Sequence, residues 1–179
     1  YFGKKQILHD ISYETYPGEV FGFLGPNGAG KTTTIKIAVG HLRLDDGDIL
    51  INGQSIRKNF ESAMAQIGGI IENPEIYKYM TGMQNLRQYA RMRGNVDEKR
   101  INEVVEIVGL KNRINDKVGK YSLGMRQRLG IAQAIMEDPG ILILDEPMNG
   151  LDKNGVEEIR RLLLQMKQEN KLIILASHN

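Results

Sequence analysis

Gly25-Pro-Asn-Gly-Ala-Gly-Lys-Thr32 is the stretch that decides the fold of this 179-residue chain. It fits the pattern of a glycine, four variable residues, and then Gly-Lys-Thr. Residues 19–24 before it are typical of a buried strand, and residues 31–40 after it are typical of a helix. A glycine-rich turn between a strand and a helix directs backbone N–H groups and the positive end of the helix dipole at one point. The stretch therefore predicts a cradle for nucleotide phosphates.

Two side chains of this stretch carry predicted chemistry. The Lys31 ammonium would reach the β- and γ-phosphates, and the Thr32 hydroxyl would bind Mg²⁺. The alternative is an ordinary strand-to-helix turn, with glycines at positions that need positive φ. The predicted cradle comprises Gly25, Pro26, Asn27, Gly28, Ala29, Gly30, Lys31, Thr32 and Thr33.

The composition is that of an ordinary globular protein, with 41% hydrophobic and 26% charged residues. A net charge of +2 is too small to indicate a nucleic-acid partner, and none is expected. The absence of cysteine excludes disulfides, thiolate metal sites and cysteine nucleophiles. No apolar run approaches the roughly 20 residues that span a bilayer. Because the chain starts at Tyr1 and stops after a strand-like run, we expect a piece of a longer protein.

Hydrophobic periodicity predicts strands and helices along the whole chain. Strands are predicted at residues 46–51, 66–71, 141–144 and 172–176, with an antiparallel pair or one bent strand at residues 5–16. Helices are predicted at residues 82–93, 97–108, 122–137 and 155–168. This order indicates an α/β fold with a mainly parallel central sheet and an N-terminal antiparallel β region. We expect a single domain over residues 1–179, with a helical subdomain inserted at residues 74–120.

An acidic pair follows the most apolar predicted strand, in Ile141-Leu-Ile-Leu-Asp145-Glu146. Ligands of parallel sheets sit at the carboxyl ends of the strands, so Asp145 should emerge beside the phosphate cradle and hold Mg²⁺. Glu146 would polarise a water for in-line attack on the γ-phosphorus.

The stretch Ser122-Leu-Gly-Met-Arg-Gln-Arg128 opens a predicted helix. By itself it favours an N-cap role for Ser122. Together with the P-loop and the acidic strand end, it resembles the nucleotide-binding domain of ABC transporters, and the resemblance covers essentially the whole chain. In that family a short signature, usually Leu-Ser-Gly-Gly-Gln, begins a helix before the acidic strand. Ser122 and Gly124 match it, which implies that they bind the γ-phosphate end of ATP.

The resemblance implies further site residues. Asp152 lies in the segment that looks like the D-loop, which couples two active sites across a dimer. His178 looks like the switch histidine that contacts the γ-phosphate. Phe2 sits where the family stacks an aromatic ring on adenine, although Tyr1 is its neighbour and packing at a strand edge is the alternative.

The sequence departs from the family pattern at three positions. Glu72 stands where most members have glutamine; it could still ligate Mg²⁺ but adds negative charge near the triphosphate. Leu123 replaces a glycine, and Met125 replaces the glutamine of the signature. These departures resemble a bacterial subgroup that includes bacitracin exporters and lantibiotic-immunity transporters.

The resemblance implies an ATP-hydrolysing subunit of a membrane exporter that acts on a peptide antibiotic or a related compound. Two such chains, as a homodimer or a heterodimer, would clamp ATP and Mg²⁺ between the P-loop of one and the signature of the other. Membrane-spanning permease subunits would be the partners, with the chain peripheral on the cytoplasmic face of the membrane. Residues 73–93 would face the permease, the alternative being the core of the helical subdomain.

Two other classes of function are alternatives to the transporter. A soluble ABC-type ATPase that acts on ribosomes or DNA is the main alternative. Only 90 positions separate Lys31 from Tyr121, which leaves no room for a long coiled-coil insertion, and no second P-loop is present. A small-molecule kinase or a GTPase lacks support, because the sequence has no Asn-Lys-x-Asp guanine motif and neither class explains Ser122–Arg128.

Overall fold

A four-stranded parallel sheet forms the centre of the structure, a computed structural model that describes residues 5–94 and 96–178. In chain order, its elements are β1 (Val20–Leu24), α1 (Lys31–Ala38), β2 (Leu50–Ile51), β3 (Gln54–Ser55), α2 (Phe60–Met64), β4 (Ile67–Ile70), α3 (Gly82–Arg93), α4 (Glu98–Ile107), a 3₁₀ turn (Val118–Lys120), α5 (Leu123–Ala134), β5 (Ile141–Asp145), α6 (Lys153–Gln168) and β6 (Leu172–Ser177). The spatial order of the sheet is β1-β6-β5-β4. The predicted fold class is confirmed.

The register brings the carboxyl ends of neighbouring strands to one edge. Leu24 pairs with Ser177, and Asp145 pairs with Ala176. The turn after β1, the acidic end of β5 and the end of β6 therefore lie next to one another. This edge of the sheet is the place where the sequence predicts the nucleotide site.

Strand β5 is buried along its entire length because both faces of the sheet are covered. Successive side chains of a strand point to opposite faces. Ile143 packs in the cluster that contains Ile35 of α1, whereas Leu142 packs in the cluster that contains Leu129 of α5 and Ile159 of α6. The run of apolar residues in β5 is uninterrupted because side chains on both faces of the strand are covered.

Strand β1 differs from the sequence prediction, which made it buried. Its residues alternate between exposed and half-buried, and Leu24 is 74% exposed. The reason is its place at the edge of the sheet, where it pairs with β6 alone among the described strands. The half-buried Phe21 instead stacks on Tyr13, with ring centroids 4.9 Å apart.

The β structure predicted at residues 5–16 is not formed: within these residues, all of which the structure describes, a β-bridge at Lys5 is the only strand-like feature. The antiparallel pair of this structure is β2–β3, joined by Asn52 and Gly53. Both of these residues have positive φ, 47° and 78°. This is the tight turn that the Asn-Gly pair favours.

The helical stretch between β4 and β5 begins with a capping box. The Thr81 side chain accepts a hydrogen bond from the Gln84 backbone, and the Gln84 side chain accepts one from the Thr81 backbone. Helix α3 has the predicted bounds as a result. Helix α5 ends at Ala134, three residues before its predicted end. Whether residues 74–120 form a distinct subdomain stays a prediction.

Candidate functional site

The predicted phosphate cradle is an exposed turn that leads directly into α1. Gly30 precedes α1 in a left-handed conformation, with φ of 93°, which L-residues with a β-carbon rarely adopt. A β-carbon there would also lie 2.8 Å from a methyl group of Leu8. Residues 26–29 are exposed. The turn thus leaves the N-terminal N–H groups of α1 beside an open surface, which is how helix N-termini bind anions.

Lys31 is held inside the cradle. Its ammonium donates hydrogen bonds to the carbonyl oxygens of Gly25 at 2.6 Å and Pro26 at 3.1 Å. The same nitrogen lies 4.0 Å from Oε1 of Glu146. The structure therefore brings together the P-loop amine and the carboxylate that follows β5.

Asp145 is the buried carboxylate of the site, with 4% exposure. Burial is the main cause that raises its pKa, and the nearby charges of Glu146 and Glu72 raise it further. A hydrogen bond from Thr32 and the charge of Lys31 act in the opposite direction. Within the described residues, Oδ1 of Asp145 has no hydrogen-bond partner. A buried oxygen without a partner beside a hydroxyl is an arrangement that suits a hard cation.

Glu146 and His178 meet at the end of the sheet. Oε2 of Glu146 is 2.9 Å from Nδ1 of His178. Backbone hydrogen bonds join the neighbouring strand ends: the Glu146 N–H donates to the Ala176 carbonyl at 2.9 Å, and the Gly25 N–H donates to the carbonyl of Ser177, the residue before His178, at 3.3 Å. The cradle, the acidic pair and the histidine are therefore tied to adjacent strand ends.

Glu72, which the sequence predicts as a metal ligand, lies at the same edge and pairs with a lysine in the described structure. Its carboxylate forms an ion pair with Lys36 of α1. The hydrogen bond and the positive charge of Lys36 lower the pKa of Glu72. Sequence reasoning missed Lys36; the available signal was its position four residues after Thr32, which places both on one face of α1.

The three residues assigned by resemblance to ABC signature and D-loop positions form local structure. The Ser122 hydroxyl caps α5 by accepting from the Met125 N–H at 3.1 Å, as the simple N-cap interpretation predicts. Asp152 caps α6 by accepting from the Gly155 N–H at 2.8 Å. A β-carbon on Gly124 would find Leu151 and Gly155 at 3.8 and 3.9 Å. Among the described residues, these contacts do not join the phosphate cradle, and Phe2 lies outside the described residues.

A groove of about 540 Å³ opens between β4, α3 and α5. Its walls mix aromatic, sulfur and amide side chains, including Phe60, Tyr77, Gln88, Tyr89, Met92 and Gln133. The buried amide of Asn85 shapes one wall by hydrogen bonding to both the N–H and the carbonyl of Tyr77. The groove involves part of the segment that the sequence predicts to face a partner.

A parallel sheet with a glycine-rich turn between β1 and α1, and an acidic pair after a nearby strand, defines a P-loop NTPase domain. The family model described as ABC transporter matches residues 8–149. The chain belongs to the ABC transporter family, as the resemblance predicted, and is a nucleotide-binding domain of it.

Named relatives agree with this assignment. The uncharacterised ABC transporter ATP-binding protein YhcH of Bacillus subtilis is 55% identical over 97% of this chain and 57% of its own length. The bacitracin transport ATP-binding protein BcrA of Bacillus licheniformis is 43% identical over 99% of this chain and 58% of its own length. The lantibiotic transport ATP-binding protein SrtF of Streptococcus pyogenes is 38% identical, with 99% and 76% covered. The chain thus spans less than two thirds of the first two relatives.

Solved structures show the same fold. The ATP-binding subunit of an ABC transporter superposes with a TM-score of 0.83 at 29% identity, over 99% of this chain and 75% of that one. The cbiO1 protein of Clostridium perfringens, part of an ABC transporter complex, superposes with a TM-score of 0.88 at 30% identity, over 100% and 74%. Among the helices of residues 5–94 and 96–178, none has the length and apolar character needed to cross a membrane.

Proposed function

We propose that this chain is the ATP-hydrolysing subunit of a membrane ABC exporter that acts on a peptide antibiotic or a related compound. The observation that carries the proposal is the convergence of the Lys31 ammonium with the acidic pair at the end of β5, where it lies 4.0 Å from Glu146. An amine and two carboxylates beside an anion-binding turn are the groups that phosphoryl transfer requires.

The triphosphate of ATP would accept hydrogen bonds from backbone N–H groups between Asn27 and Thr33. Lys31 would exchange its bonds to the Gly25 and Pro26 carbonyls for bonds to phosphate oxygens. The exposed residues 26–29 give the phosphates direct access. The cradle supplies an oriented set of donors and a positive helix end, so most of the binding energy is electrostatic.

Asp145 and Thr32 would hold Mg²⁺. The fit rests on the buried Oδ1 atom of Asp145, which lacks a described partner, and on the Thr32 hydroxyl at the same carboxylate. When bound, Mg²⁺ neutralises charge on the phosphate oxygens and so favours attack at phosphorus. The pairing of Glu72 with Lys36 argues against the role as a metal ligand that the sequence suggested for Glu72.

Hydrolysis would proceed with Glu146 as the general base. Its carboxylate accepts a proton from water while the water oxygen bonds to the γ-phosphorus and the bond to the β–γ bridging oxygen breaks. His178 contacts the same carboxylate and would orient it, and it could also contact the γ-phosphate. Lys31 would stabilise the charge that collects on the phosphate oxygens.

A complete site would need two copies of the domain. Ser122 and Gly124 stand at the N-terminus of α5, whose N–H groups can bind phosphate, yet their described contacts lie away from their own cradle. In a head-to-tail pair, Ser122 and Gly124 of one copy would cover the triphosphate held by the other, and Asp152 would lie between the two sites. ATP would favour the closed pair, and hydrolysis would release it.

The groove beside Tyr77 and Tyr89 would receive a permease subunit. Exposed aromatic and methionine side chains are typical of such interfaces, and Tyr77 and Met92 are 47% and 66% exposed. This partner would place the chain at the cytoplasmic face of the membrane. The names of two relatives, which describe bacitracin transport and lantibiotic transport, support export of a peptide antibiotic. The relatives do not favour a soluble factor for ribosomes or DNA.

The Glu146→Gln variant tests the proposed chemistry. Loss of the general base should slow ATP hydrolysis by about a hundredfold or more while ATP binding persists. The variant should also accumulate an ATP-dependent dimer on gel filtration. The control is Glu106→Gln, which removes a carboxylate from the exposed pair with Lys111 and should leave the rate unchanged.

Three results would contradict parts of the proposal. Hydrolysis by Glu146→Gln at the wild-type rate would remove Glu146 as base. Unchanged nucleotide affinity in Lys31→Ala would remove the cradle. Purification from membranes without any hydrophobic subunit would contradict the transporter assignment.

A further inference from the structure

We propose that Lys36 is a positioning residue of the nucleotide site, whose ammonium neutralises Glu72 and keeps its carboxylate away from the triphosphate. The inference rests on the proposed function. It gives a physical reason why a glutamate can occupy a position where the family usually has a neutral glutamine.

The geometry places Lys36 between two parts of the site. It follows Thr32 by four residues on α1, so both side chains lie on one face of that helix. Glu72 lies two residues after Ile70, the last residue of β4. Glu146 likewise lies two residues after Leu144, which pairs with Ile70 in the sheet. The ammonium of Lys36 and Oε1 of Glu72 are 2.5 Å apart.

The Lys36–Glu72 pair affects the net charge at the edge of the sheet. Three carboxylates collect at the edge of the sheet, those of Glu72, Asp145 and Glu146, and the Glu72 charge is felt at Asp145. Lys31 faces Glu146, and Lys36 faces Glu72. Without Lys36, Glu72 would add an uncompensated negative charge where the negatively charged phosphates bind.

The pair does not have the burial of a structural ion pair. The side chains of Lys36 and Glu72 are 29% and 62% exposed, and exposed ion pairs contribute little to folding stability. Glu72 also has φ of 64°, an unfavourable conformation for a glutamate. The recess around the pair, lined also by His41 and Glu75, has a volume of about 410 Å³.

The experiment varies the net charge of the pair in four variants of the purified protein. The wild type, Lys36→Arg and the double variant Lys36→Met/Glu72→Gln all have a pair of net charge zero. Lys36→Met leaves a net negative charge, and Glu72→Gln leaves a net positive charge. Dissociation constants for ATP and ADP, each with excess Mg²⁺, are measured by calorimetry for all of them.

We expect Lys36→Met to weaken ATP binding about fivefold, roughly the effect of one partly screened charge, and to weaken ADP binding less. Lys36→Arg and the double variant should bind ATP within about twofold of the wild type, and Glu72→Gln should bind it more tightly. The control Lys111→Met removes the cation of the exposed pair with Glu106 and should leave the affinity unchanged.

Rescue by Glu72→Gln is the decisive result. If the double variant binds ATP as weakly as Lys36→Met, Lys36 acts on the phosphates directly and the inference is wrong. If Lys36→Met does not fold, the tighter binding expected of Glu72→Gln still tests the inference, and weaker binding overturns it. Absence of ATP binding by the wild type would instead refute the proposed function.

Discussion

Replacing Asn85 with alanine should destabilise the loop that borders the groove. Asn85 stands in the first turn of α3 and is 2% exposed. Its side-chain oxygen accepts from the Tyr77 N–H at 2.8 Å, and its amide nitrogen donates to the carbonyls of Tyr77 at 3.0 Å and Thr81 at 2.9 Å. The side chain of Asn85 therefore holds the loop that begins at Tyr77 against the start of α3.

The structure sets the size of the effect. Three hydrogen bonds at about 1 kcal/mol each give a loss of about 3 kcal/mol in the free energy of unfolding. Water can hydrogen bond to some of the freed groups and so reduce the loss, because Tyr77 is 47% exposed. The cavity left by the amide increases the loss. In a domain of this size, 3 kcal/mol corresponds to a fall in Tm of roughly 6–12 °C.

Urea unfolding followed by circular dichroism measures this change. Asn102→Ala is the matched control and should lose less than about 1 kcal/mol, since the exposed Asn102 side chain makes one hydrogen bond within the described residues, to the Glu98 carbonyl at 2.8 Å. The phosphate cradle does not involve Asn85, so ATP hydrolysis per folded molecule should persist. A loss in Asn85→Ala no greater than in Asn102→Ala would refute the reasoning.

Two further changes test the packing of β4 and an ion pair before β5. Gly68→Ala should cost about 3 kcal/mol or more in unfolding free energy, because a β-carbon there would overlap the Ala134 carbonyl oxygen. Gly140→Ala, with open space around residue 140, should keep the wild-type urea midpoint within experimental error. Equal midpoints for the two variants would contradict this packing. Asp138→Asn should cost less than about 1 kcal/mol at pH 7, because Asp138 is exposed where it pairs with Lys171. The hydrogen bond from Lys171 lowers the pKa of Asp138 below its ordinary 3.8. A lowered folded-state pKa gives stability that is present above pH 3.8 and lost as pH falls through the folded value. The urea midpoints of wild type and variant should therefore converge as the pH falls below 3.8, and a constant difference would count against the ion pair.

Local sequence signals were enough where the cause of the structure is itself local. Helix α3 has its predicted bounds because Thr81 and Gln84 satisfy each other's backbone groups and Gly94 ends the helix with φ of 83°. The Asn52-Gly53 turn and the buried strand β5 follow in the same way from residues that are adjacent in sequence.

Tertiary contacts account for what the sequence did not reveal. A run such as Glu19–Leu24 looks apolar whether the strand is central or at an edge, and only the sheet order shows that β6 is the one described strand beside β1. Helix α5 stops early where Arg100, from another helix, donates to the carbonyls of Ile135 and Met136. The Lys36–Glu72 pair joins residues 36 positions apart, which no local pattern encodes.

The backbone itself distinguishes the site from the rest of the chain. Six described non-glycine residues have positive φ, and the four outside the site are aspartate or asparagine, which tolerate it: Asp10, Asn52, Asp138 and Asn170. The other two are Glu72 and Glu146, at 64° and 49°, for which this conformation is costly. Both follow the carboxyl ends of neighbouring strands, where Asp145 also has a buried oxygen without a described partner. Because these departures from local preference occur together at the edge that carries the cradle, the conformational cost is concentrated where nucleotide and metal would offset it.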